Sequence, residues 1–148
     1  MRPEYRDENY YWFGTSLSPH VIDYNKKEYG NANVPQKWDD LLDTRFQGKI
    51  VLRDVENSTI MQRFVCAMIA HFHEEATGPE KGYGWLARLH RQCLPYATTT
   101  RELFSTLDVG QGIEGSEEVD AGQEAALSIW PLPDLMVRQE RYGYDFGY

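Results

Sequence analysis

The chain has 148 residues, 41% of them hydrophobic and 14% aromatic, with a formal net charge of −8. That length suits one compact domain, and that apolar share fills a real core, which excludes disorder of the whole chain. The acidity, with no Lys/Arg cluster to offset it, excludes a nucleic-acid partner and docking on anionic lipid.

No window approaches the ~20 apolar residues that a bilayer span requires. The stretch from Met1 to Asn9 is polar and charged, so no signal peptide is read there. That pattern fits a cytosolic protein and equally a stretch from inside a longer secreted one. Two cysteines, Cys66 and Cys93, are expected as buried thiols; a disulfide between them is the alternative in an oxidising compartment. No CxxC or Cys/His zinc spacing is present, so no metal site is assigned.

In chain order, Tyr5 to Phe13 is aromatic and polar without a helical period. Leu17 to Tyr24 reads as a strand centred on Val21 and Ile22. Lys26 to Gln36 is a loop marked by Gly30, Asn31, Asn33 and Pro35. Trp38 to Leu42 reads as a short helix with acids in its first turn and Trp38 as a core anchor. Lys49 to Arg53 is a short strand around Ile50-Val51-Leu52.

Asn57 or Ser58 then caps a helix expected from Thr59 to Glu75, with Met61, Phe64, Val65, Met68 and Phe72 at helical spacing. Thr77-Gly78-Pro79 is read as its stop. A second helix is expected from Lys81 to Gln92, with Trp85, Leu86 and Leu89 inward. Leu94 to Ala97 reads as a short strand, and Thr98 to Thr100 as caps for a helix through Leu107. Gly110 to Gly122 reads as an exposed acidic loop. Ala125 to Trp130 is a buried strand broken by Pro131, and Pro133 opens a last helix through Arg141. Strands alternating with helices predict an α/β fold, a three-layer sandwich with a mixed, mostly parallel sheet flanked by helices.

Enzyme signatures are lacking. His71 and His73 stand two apart on a helix and diverge by about 200°, so they do not converge on a metal. Asp39-Asp40 fits the charge preference of a helix start better than an acid pair. HExxH, Gly-x-Ser-x-Gly and the P-loop are absent. Gly110-x-Gly112-x-x-Gly115 has dinucleotide-type glycine spacing, but its acids would repel a pyrophosphate.

The ordered motifs carry a resemblance. They are Ser18-Pro19-His20-Val21-Ile22-Asp23-Tyr24-Asn25, then Pro35-Gln36-Lys37-Trp38-Asp39-Asp40-Leu41-Leu42, then Phe46-Gln47-Gly48-Lys49-Ile50-Val51-Leu52, the helix start Asn57-Ser58-Thr59, and Gly122-Gln123-Glu124-Ala125-Ala126-Leu127-Ser128-Ile129-Trp130. From Ser16 to Leu135 this set is similar to the extracellular solute-binding proteins of ABC importers, of the ferric-iron, thiamine and polyamine type (periplasmic binding protein type II). The resemblance implies that residues 1–148 form one domain equivalent to the second, middle lobe, with the first lobe missing. It further implies periplasmic or extracellular work, an ABC permease as partner, no catalytic residue and no cofactor. A small-molecule or ion solute would be held between lobes that close about a hinge.

By the same resemblance, Asn57, Ser58 and Thr59 face the solute, where a helix N-terminus can hold an anion or carboxylate; plain capping is the other reading of these residues. Trp130 is either a core residue or an aromatic wall against the solute, with Ser128 and Asp134 as weaker flanking choices. Tyr24 and Asn25 are placed at the hinge. Tyr10 and Tyr11, the only adjacent tyrosines, lie outside the matched core, so iron is not assigned from them. Two rival readings are a stand-alone interaction domain, marked by a homodimer through the exposed lobe face, and a small α/β enzyme, marked by a deep pocket with a strongly shifted titratable group.

Overall fold

Alternation along three short segments sets the architecture. Ile50 and Leu52 join one apolar cluster while Val51 joins another. Leu127 and Ile129 share the first cluster, and Trp130 lies in the second. Ile22 and Tyr24 pack on the first, Val21 on the second. Period-two segments that feed two separate cores are strands buried on both faces, so the chain forms a sheet between two helical layers.

The computed structural model describes residues 5–30, 33–73, 79–107 and 125–148. In chain order the elements are β1 (His20–Asn25), α1 (Lys26–Tyr29), two 3-10 turns (Trp38–Leu42 and Thr44–Phe46), α2 (Thr59–Phe72), α3 (Pro79–Gln92), α4 (Thr100–Leu107), β2 (Leu127–Pro131), α5 (Leu132–Tyr142) and β3 (Phe146–Gly147). The named strands run in the order β2-β1-β3, antiparallel throughout. The β1–β2 register pairs His20 with Pro131, Val21 with Trp130 and Asp23 with Ser128. β3 pairs only with Tyr24 and Asn25.

Ile50 extends this sheet through parallel bridges to Leu127 on one side and Cys93 on the other, and Arg53 bridges Ala97 in parallel. Supporting bonds run from Val51 N to Leu127 O (3.0 Å), Leu94 N to Ile50 O (2.8 Å) and Ala97 N to Leu52 O (2.9 Å). The sheet is mixed, as expected, but its longer ladders, around β1, are antiparallel and its parallel contacts are single bridges around Ile50–Arg53, which corrects the mostly parallel reading.

α2 and α3 cover one face. Ser58 Oγ accepts from Met61 N at 3.3 Å, and Met61, Phe64, Met68 and Phe72 form the buried stripe of α2. α3 buries Gly82, Trp85, Leu89 and Gln92 at the same helical spacing. The fully buried Trp85 indole donates Nε1–H to Asp39 Oδ1 at 2.8 Å and ties α3 to the first 3-10 turn. Trp38 is half-buried against this core, its ring 5.5 Å from that of Phe64. On the other face, Leu103, Phe104 and Leu107 of α4 pack with Leu135 of α5, Val51, Trp130 and Phe146.

Several expectations change. Pro79 opens α3, its missing N–H costing nothing at a first helical position; Glu75, Thr77 and Gly78 lie outside the described residues. So does the whole Gly110–Gly122 segment. Pro131 closes β2 and stands as the N-cap of α5, which ends at Gly143 in the left-handed region (φ 70°). Cys66 is exposed and Cys93 half-buried, and both thiols are free, which corrects the expectation of two buried thiols and removes the disulfide. Cys66 stands two positions from both Phe64 and Met68, and that spacing turns it away from the buried stripe. Cys93 donates its S–H to Leu89 O at 3.2 Å, and burial pushes its thiol up to about 12.

At the N-terminal end, Arg6 bridges Phe13 and Gly14 N bonds Tyr5 O at 2.7 Å, so residues 5–14 form a small hairpin. It leaves Tyr10, Tyr11, Trp12 and Phe13 all more than half exposed. No described helix is long and apolar enough to cross a membrane.

Candidate functional site

Three segments of the sheet finish on one edge, and each hands over to a helix. Arg53 leads into α2, Ala97 into α4, and Pro131 into α5. A helix start carries unsatisfied N–H groups and the positive end of its dipole, so this edge is a natural place for negative charge.

The loop from Arg53 to Ser58 is held by its own side chains. Asp54 Oδ1 accepts from Glu56 N at 2.9 Å, and its Oδ2 accepts from Asn57 Nδ2. Gln62 Nε2 reaches back to Val55 O at 3.0 Å. Asn57 therefore braces the loop, the buried Ser58 caps α2, and Thr59 stands exposed at the first helical position. The structure brings the three together, with Thr59 and Ile60 N–H as first-turn donors outside the Ser58 cap.

Arg53 opens the stretch to Ile60 that the sequence offers as the candidate site, but sequence reasoning gave it no role of its own. Its Nη1 donates to Thr100 Oγ1 at 2.7 Å, while its buried Nε has no partner. This guanidinium sits between the starts of α2 and α4. The α4 start is internally closed: Thr99 Oγ1 accepts from Glu102 N at 3.1 Å, and the Glu102 carboxylate accepts from Thr98 N (2.7 Å) and Thr98 Oγ1 (2.9 Å). Burial acts to raise the Glu102 carboxyl, but the bonds from Thr98 and Thr99 and the charge of Arg53 hold it below its ordinary value. A basic residue ending the apolar Ile50-Val51-Leu52 strand was the available signal.

His20 joins the α2 and α5 starts. Its Nε2 lies 3.3 Å from Ile60 O, its backbone pairs with Pro131, and Leu132 N bonds Pro19 O at 2.9 Å. Burial lowers the imidazole from its ordinary value, the Ile60 carbonyl works against that, and Arg63 adds to it.

Trp130 and Ser128 turn inward, away from this edge. Trp130 is 2% exposed and meets the Phe104 ring edge-on at 5.4 Å, which places its ring in the core under α4. Ser128 is fully buried on the same face of β2. Asp134 lies in the first turn of α5, whose start adjoins the edge, and is exposed. Tyr24 and Asn25 end β1 at the opposite end of the sheet from His20. Asn25 donates Nδ2–H to Leu107 O at 2.8 Å and accepts from Lys27 N at 2.9 Å, which pins β1 to α4 and caps α1. The Tyr24 ring lies directly against Gly147.

A groove of about 340 Å³ runs along β1 between Trp38 and Tyr148, with Lys37 its one charged lining residue. Among the described residues no three His, Cys, Asp or Glu side chains gather where a metal ion would bind.

The fold defines a class: part of a periplasmic-binding-protein architecture. Apo ferric ion-binding protein A from Pasteurella haemolytica is similar over 97% of this chain and 39% of its own, at 20% identity and a TM-score of 0.71. Iron-bound HitA from Pseudomonas aeruginosa matches 99% of this chain and 41% of its own, at 17% identity and a TM-score of 0.69. The periplasmic binding protein P5PA matches 88% and 36%, at 22% identity and 0.64. The chain thus spans about two-fifths of the length of these structures. The family of bacterial extracellular solute-binding proteins matches residues 2–101, and the chain belongs to it. Comparison with curated proteins gives no match.

Proposed function

We propose that the chain is the second lobe of a two-lobed solute-binding protein that feeds an ABC importer, and that its helix-start edge is one wall of the solute site. The fold supports this reading, since nearly the whole chain matches a part of longer binding proteins. It performs no chemistry. The solute is caught between lobes, and closure produces the form that a permease recognises outside the cytoplasm.

The observation that carries the reading is Arg53, a guanidinium with a buried unpartnered Nε, set beside the open first turn of α2. Both offer donors and positive potential, so the wall suits the anionic part of a solute: a phosphate, a carboxylate, or the anion of a metal chelate. Within this reading, Asn57 and Ser58 shape the loop and Thr59 meets the solute. Trp130 and Ser128 act from behind, by fixing the strand that ends at Pro131.

β1 enters at His20 and β3 runs back towards it, so the joint between lobes is assigned to the His20–Tyr148 side rather than to Tyr24 and Asn25, which are clamped into the lobe. The aromatic run Tyr10 to Phe13 is the face assigned to the other lobe. In the chain by itself, this face is where a second copy would pair.

Amide NMR spectra of the ¹⁵N-labelled chain, titrated with phosphate, citrate, ferric citrate and spermidine, test the assignment. Phosphate or citrate should move Arg53, Thr59 and Ile60 together. Shifts confined to other surfaces, or a response of this edge to spermidine alone, would defeat it.

A further inference from the structure

The interior face of the β1–β2 ladder carries polar groups that neither the cores nor the solute wall use. Asp23 and Ser128 are both fully buried and stand opposite each other in the register. Neither Asp23 carboxyl oxygen has a hydrogen-bond partner, nor does Ser128 Oγ, nor Nε1 of Trp130. Trp130 is two residues beyond Ser128 on the same face, hence diagonal to Asp23. Directly opposed Cβ atoms lie about 5 Å apart, and diagonal ones remain within reach of an aromatic side chain. Asn25, two residues along β1 on this face, shows what a satisfied neighbour looks like: it finds Leu107 O of α4.

We propose that Asp23, Ser128 and the Trp130 indole form an internal hydration site, one sequestered water shared by the three polar groups between the β1–β2 ladder and α4. Left unpaired, each such group costs about 1–3 kcal/mol, so a shared partner for three on one patch is strongly favoured. A water there accepts from the indole N–H and from the acid O–H of Asp23 and donates to Ser128 Oγ. Three bonds is the usual number for a buried water.

This bond pattern takes Asp23 as a neutral acid. Burial pushes its carboxyl up to about 8, and only its own backbone N–H works against that. Among the described residues, α4 packs the apolar Leu103, Phe104 and Leu107 here while Arg101 and Glu102 stay exposed. α5 packs Leu135, and its Arg138 guanidinium sits 4.3 Å over the Phe104 ring.

The indole N–H of Trp130 is a distinct NMR reporter. Water-selective NOE and ROE spectra of the ¹⁵N-labelled chain at pH 6 should show a cross-peak at this proton with the opposite NOE and ROE signs of a long-lived water. Asp23→Asn, which still donates and accepts, should keep the peak, and Asp23→Val and Ser128→Ala should lose it. A wild-type spectrum without that peak overturns the proposal, and so does a peak that survives both Asp23→Val and Ser128→Ala. Should the valine variant not fold, the wild-type spectrum and Ser128→Ala decide.

Discussion

Gly82 lets α3 lie directly on α2: a Cβ at that position would stand 2.8 Å from Ile69 Cα. Backbone cannot retreat from such a contact as a flexible side chain can. Gly82→Ala should therefore push the two helices apart. Overpacking costs about 1–3 kcal/mol, against about 1 kcal/mol that alanine returns through helix propensity. The net effect is destabilisation. Gly84 in the same helix is exposed, with nothing within 4 Å of its would-be Cβ. Gly84→Ala should gain up to about 1 kcal/mol. Urea unfolding of the two variants should shift the midpoint in opposite directions, and equal shifts would refute the close-approach account.

Asp23 makes stability depend on pH in an unusual sense. Burial raises its carboxyl from an ordinary value of 3.8 to about 8. The folded state thus holds a proton that the unfolded chain releases. Its favourable contribution is complete below about pH 4 and is lost as pH rises through 8, at no more than about 1.4 kcal/mol per pH unit. Asp23→Asn removes that slope. The variant should gain on the parent steadily from pH 5 to pH 8.5, and parallel unfolding midpoints over that range would rule the protonated acid out.

The Asp39–Trp85 bond joins a surface acid to a core indole. Asp39→Ala leaves the Nε1–H of a fully buried ring unpaired and should cost about 1–3 kcal/mol. Asp39→Asn keeps an acceptor and should cost less than half as much. Tryptophan fluorescence during urea unfolding reads both. If the two variants were equally destabilised, the charge or the 3-10 turn itself would be responsible, and not the bond.

Helix α2 was legible because its cap and its buried stripe are local. Ser58 is the cap, and Met61, Phe64, Met68 and Phe72 repeat at helical spacing. Ile50-Val51-Leu52 was legible as a short strand, and the structure divides its apolar side chains between two cores. The antiparallel pairing of β1 with β2 was not, because it joins residues about a hundred positions apart that no local signal links. Trp130 remained open between core and solute wall because sequence gives a residue's period but not which layer covers it. α4, supplying Phe104, decides in favour of the core. Arg53 lay at the start of the candidate stretch without a role because a basic residue after an apolar strand commonly faces solvent; its worth appears only once Ala97 brings Thr100 alongside.

Arg53 separates the proposed solute wall from the scaffold. It is half-buried and donates a side-chain bond to Thr100 Oγ1. Arg53→Gln loses the charge and, with its amide two atoms short of Nη1, the bond to Thr100 Oγ1 as well, so the unfolding free energy should fall by about 1 kcal/mol. The proposed wall loses the guanidinium that bridges the α2 and α4 starts, and anion response should fall at least tenfold in apparent affinity, about 1.4 kcal/mol. Thr59→Val on the same edge keeps the first-turn N–H groups that an anion would use, and should weaken binding less. Phosphate titrations followed at the Ile60 amide measure all three proteins. An undiminished response in Arg53→Gln would show that the helix dipole alone holds the anion, and would take Arg53 out of the site.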